Sequence, residues 1–134
     1  MGAWGTGVFE NDGAGDFLAE FQQTELGQRG LVVRQAMQAA TDAADYLEID
    51  EGQAAVAAAA VVAAARVGRP LTVNSAKTIG NGELPPPEPE LVALAVRALD
   101  RVIADGSEWL DLWQESLELS AALGAVAEVR AALT

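Results

Sequence analysis

Residues 54–65 read AAVAAAAVVAAA, twelve apolar positions in a row. Alanine is the strongest helix former, and a helix without a polar side needs neighbours all round it. Twelve residues fall well short of the ~20 that cross a bilayer. The stretch therefore predicts a buried helix over residues 51–67. Asp50 with Gln53 three residues later has the spacing of a capping box, and Gly68 followed by Pro70 marks the end. Small alanine side chains let neighbouring helices approach to the short end of the usual range, about 8 to 10 Å.

The flanking sequence supplies those neighbours. Over 31–47, Val33, Ala36, Met37, Ala40, Ala43, Ala44 and Leu47 keep the i, i+3, i+4 rhythm, with Arg34, Gln38, Thr41, Asp45 and Glu48 opposite. Over 88–104, Leu91, Leu94, Ala95, Ala98, Leu99 and Val102 leave only a narrow polar stripe. Residues 107–122 place Trp109, Leu112, Trp113 and Leu117 on one side and Glu108, Asp111, Glu115 and Glu118 on the other. Gly124 interrupts the pattern, and 125–133 predicts a last short helix. An earlier helix over 12–23 turns Phe17, Leu18 and Phe21 inward, with Asn11 or Asp12 as its cap.

Nothing alternates with period two for long enough to predict a strand, and LTV at 71–73 is too short to count. Residues 71–89 hold four of the five prolines as well as Gly80 and Gly82, and read as a surface loop with a mobile tip. No repeat of fixed period is present. A length of 134 residues suits one domain. The expected architecture is a single all-α domain over 1–134, a helical bundle of about five or six helices around the Ala-rich one, with an ordered N-terminal segment over 1–11.

Composition excludes several chemistries. The chain has no His and no Cys, which removes imidazole acid/base work, thiolate nucleophiles, disulfides and the usual structural zinc sites. Eight cations against 20 carboxylates give a net charge of -12, a field that repels a nucleic-acid backbone. No basic region followed by an apolar stretch marks a signal peptide near Met1, so the expected compartment is the cytoplasm. Gly2 and Thr6 fit the loose myristoylation pattern, but no polybasic patch supplies a second anchor, and no membrane partner is expected.

Carboxylates are the abundant ionisable groups, densest at Asp42, Asp45, Glu48, Asp50 and Glu51. Spaced three apart on a helix, the first three describe a solvated face, while Asp50 and Glu51 suit a positive helix end. The sharper reading is a hard-cation site, although the EF-hand spacing is absent. Asp12 reads as a helix cap and Asp16 as a first-turn residue favoured by the helix dipole; alternatively the two form an acid/base pair. Gly5, Thr6 and Gly7 begin like a phosphate loop, yet nothing completes the motif. Ser75 and Lys77 lack the surroundings of a Ser-Lys pair. Trp4 and Phe9 are expected to pin the N-terminal segment, with Trp4 beside the turn that carries Tyr46, Glu48 and Asp50.

Two motifs carry a resemblance, one on Gly2, Trp4, Gly5, Gly7, Phe9, Asp12, Asp16 and Phe17, the other on Tyr46, Leu47, Glu48 and Asp50. Through them the chain resembles an uncharacterised bacterial family, domain of unknown function 4259, over nearly its whole length. The resemblance implies a small bacterial protein and brings no activity with it. Relatives often carry a Glu near the position of Ala60, and its loss here counts against a catalytic or metal role built on it.

Two functions follow as expectations. The first is a non-enzymatic, acidic interaction protein that binds a more basic protein, as an immunity protein does, needing no cofactor and no metal. The alternative is a metal-dependent hydrolase with Asp12, Asp16, Glu48 and Asp50 as hard ligands. The candidate binding surface is Trp4, Asp12, Asp16, Tyr46, Glu48 and Asp50.

Overall fold

The computed structural model describes residues 5–74, 77–79 and 84–134, without the side chains of residues 74, 77 and 78. Its helices are α1 (Asp12–Gln23), α2 (Arg29–Thr41), α3 (Ile49–Val67), α4 (Pro89–Val102), α5 (Glu108–Gln114) and α6 (Leu119–Leu133). A single 3-10 turn, Leu26–Gln28, joins α1 to α2. The fold is an all-α bundle. The alanine-rich α3 packs against α1, α2, α4, α5 and α6, and every residue from Ala55 through Ala63 is buried. Larger side chains around it carry more of the burial energy. Phe21, Met37 and Leu99 are fully enclosed, each stabilising by about 1.5–3 kcal/mol.

Local patterns account for most elements. In α4, Leu91, Leu94, Ala95, Ala98, Leu99 and Val102 are all buried, the stripe that the rhythm requires. Helix α1 begins at Asp12 behind Asn11, whose Oδ1 accepts from Ala14 N at 2.8 Å. Helix α3 stops at Gly68, as expected.

Five expectations need correction. The helix over 31–47 ends at Thr41, because residues 43–47 leave helical geometry to bond the turn before α5. The helix over 107–122 is two helices. Ser116 Oγ accepts from Glu118 N at 3.0 Å, a local bond that competes with helical pairing and separates α5 from α6. Gly124, expected as the break, lies inside α6, and Leu117, expected inward, is fully exposed at the junction. The loop over 71–89 contains a hairpin, β1 (Leu71–Asn74) antiparallel to β2 (Lys77–Ile79), with Leu71 opposite Ile79 and an irregularity between Thr72 and Asn74. Ile79 and Leu84 are buried and border the C-terminal half of α3 beside Val61 and Ala65, contact that strands this short need to persist. Of the expected loop tip at 80–87, residues 80–83 lie outside the described residues, as do Ser75, Gly2 and Trp4.

Candidate functional site

The first motif closes on itself before it meets the bundle. Gly7 N–H donates to Oε1 of Glu10 at 3.0 Å, so the glycine turn holds its own carboxylate. At Gly13, the second residue of α1, the N–H has no partner within its helix. It donates to Gln53 Oε1 of α3 at 3.0 Å in a buried site. A Cβ on Gly13 would come within 2.7 Å of Gln53 Cβ and 2.8 Å of Asp50 O, so α1 and α3 approach this closely only over glycine. This crossing brings the Asp12–Asp16 stretch against Asp50, joining part of each motif.

Tyr46 and Glu48 belong to a second arrangement. Leu47 N donates to Gly106 O and Glu108 N to Leu47 O, both at 2.8 Å, a parallel bridge between the turns that precede α3 and α5. Gly106 sits at φ +81, a left-handed conformation that side chains rarely adopt. Arg101 tightens the bridge, donating Nε to Ala43 O at 3.1 Å and Nη2 to Gly106 O at 3.0 Å. Glu108 Oε1 accepts from Ile49 N at 2.9 Å and so caps α3 from another helix. Asp50, read as the cap, is instead in the first turn, where its charge suits the positive helix end, and Gln53 is spent on Gly13. The residue ahead of α3 is Glu48, exposed and making no side-chain cap.

The half-exposed Tyr46 donates its hydroxyl to Asp111 Oδ2 at 2.9 Å. That hydrogen bond, then desolvation, then the charges of Asp111, Glu108 and Glu115 push its pKa up to about 12.

Asp16 and Asp50 meet at a cleft of about 440 Å³ between α1, α2 and α3. Phe17, Val32, Ala36 and Ala54, buried or half-buried, form its floor, and the exposed Asp16, Glu20, Asp50 and Glu51 form its rim. No cationic side chain among the described residues lines it. Asp16 and Glu20 stand four apart on α1, a like-charge pair that costs a helix ~0.2–0.5 kcal/mol. Asp12 is exposed at the first position of α1. Among the described residues no three carboxylates gather closely enough to hold a metal ion.

The model of a family described as Domain of unknown function (DUF4259) matches residues 2–124. The chain belongs to the DUF4259 family. No curated protein and no solved structure matches this DUF4259 chain. Of the residues that assemble its site, sequence reasoning missed Gln53 as a partner of α1, Glu20 on the cleft, and Arg101, Glu108 and Asp111 at or beside the bridge. Each acts on chain 40 or more residues away or on a neighbouring helix, and no periodicity encodes such pairing. The like-charge spacing of Asp16 and Glu20 was the one available signal. Among the described residues no helix is long and apolar enough to cross a membrane.

Proposed function

We propose that this DUF4259 protein catalyses no reaction and is an acidic interaction protein of the bacterial cytoplasm, binding a more basic protein as an immunity protein covers the basic site of a toxin. One observation carries the reading: exposed carboxylates from α1 and α3 gather on one cleft. Asp16, Glu20, Asp50 and Glu51 share a cleft lined by no cation among the described residues. At the adjoining bridge Arg101, the nearby cation, spends its guanidinium on backbone carbonyls. A net charge of -12 extends that field and speeds encounter with a positive partner. The absence of His and Cys from the chain narrows what chemistry the same surface supports.

The test is co-expression with the products of neighbouring reading frames, followed by size exclusion and calorimetry. The expected result is a complex with a basic product that weakens as salt rises. A chain that binds none of these products, but gains thermal stability and phosphoester hydrolysis with magnesium or manganese, overturns the proposal in favour of the carboxylate hydrolase.

A further inference from the structure

We infer that the cleft between α1, α2 and α3 is the docking groove for a basic amphipathic helix of the partner protein. The inference rests on the interaction reading above and names the feature that the partner presents. The groove lines α1 from Gly13 to Glu20, about 10 Å at the α-helical rise, which is two turns of a helix laid beside it. Phe17, Val32, Ala36 and Ala54 give the groove an apolar floor that suits an aliphatic side chain from the inner face of such a helix.

Charge selects the occupant. Asp50 and Glu51 have a local reason to be where they are, at the positive end of α3. Asp16 and Glu20 lie beyond the first turn of α1 and repel each other across one turn. A ligand with Lys or Arg on both sides of an apolar anchor meets all four carboxylates at once and relieves that repulsion. An acidic helix is repelled by the same rim, and an uncharged one leaves it unpaired. Gly13 marks one end of the groove, where α1 lies directly against Asp50 and Gln53.

The test is an amide-resolved NMR titration of the full chain with a synthetic helical peptide carrying a leucine stripe flanked by lysines. The same peptide with glutamates for lysines, and spermine, serve as comparisons. Shifts are expected to centre on residues 13–20, 32–36 and 50–54, to be absent with the acidic peptide, and to be much weaker with spermine. The double variant Asp16→Asn, Glu20→Gln, altering two exposed side chains, is expected to keep or slightly raise its melting temperature and bind the lysine peptide roughly three- to tenfold more weakly. Shifts centred on Tyr46 or elsewhere, affinity unchanged in the double variant, equal response to spermine, or no binding of the lysine peptide each overturn the groove assignment. A basic protein partner whose affinity ignores the double variant refutes the groove while leaving the interaction reading standing. Absence of any basic partner refutes that reading by itself.

Discussion

Gly13 and Gln53, forty residues apart, are joined by a buried 3.0 Å hydrogen bond from a helix-start N–H to a side-chain oxygen. The bond does for α1 what a local cap does for most helices, because the Asn11 Oδ1 is spent on Ala14 N–H. It also sets the closest approach between α1 and α3, and with it one end of the acidic cleft.

Two substitutions probe that crossing. Gln53→Leu strands the Gly13 N–H in a dry site and is expected to cost about 1–3 kcal/mol. Gly13→Ala pushes a methyl against Asp50 O and Gln53 Cβ, neither able to move freely, with a similar expected cost of about 1–3 kcal/mol. Denaturant unfolding measures both, and wild-type midpoints would disprove the close crossing.

The central helix should resist enlargement. Ala58 and Ala59 have no exposed surface, so leucine at either site has to displace a neighbouring helix. The expected loss is about 1–3 kcal/mol, read as a lowered melting temperature. Leu117→Ser is the matched control. That side chain is fully exposed, and its replacement should change stability by less than about 0.5 kcal/mol.

Glu108 distinguishes a cap borrowed from another helix from a local one. Glu108→Ala removes the acceptor for Ile49 N and is expected to destabilise by about 0.5–2 kcal/mol. Glu108→Gln retains a side-chain oxygen at the same reach and should recover most of that loss. Asp50→Asn, at the position with capping-box spacing, should cost less than Glu108→Ala. Thermal melts of the three variants decide the order.

The single tyrosine makes one titration unambiguous. Tyr46 has its pKa raised from 10.0 to about 12, chiefly by the bond to Asp111. A pKa raised on folding favours the neutral phenol in the native state. The associated stabilisation is complete below pH 10 and fades as pH rises through about 12. Phenolate absorbance should therefore appear only near the upper end of that window in the folded chain. Asp111→Asn should bring it lower, and an unshifted titration in that variant would show that the hydrogen bond is not the cause.

Much of the architecture was legible in local pattern. An apolar run over 54–65 with no polar side demanded a surrounded helix, and the three-four rhythm of 88–104 located its neighbour, because helical periodicity is a property of adjacent turns. The cap of α1 and the glycine end of α3 were legible for the same reason. The absence of His and Cys and the excess of carboxylates, which narrow the chemistry, needed no coordinates at all.

Tertiary structure decided where those elements stop and what they share. Ser116 was free to sit within a helix until α6 turned back over α3, and Leu71 and Ile79 pair where α3 offers a surface that buries Ile79 and half-buries Leu71. Asp50 had the spacing of a cap but lost the role to Glu108, which arrives from 59 positions along the chain. Asp16 and Asp50 share a cleft only because α1 crosses α3 over the bare backbone of Gly13. Such partners are chosen by the packing of whole helices, whose cost and gain are spread over many side chains, and spacing along the chain carries no record of them.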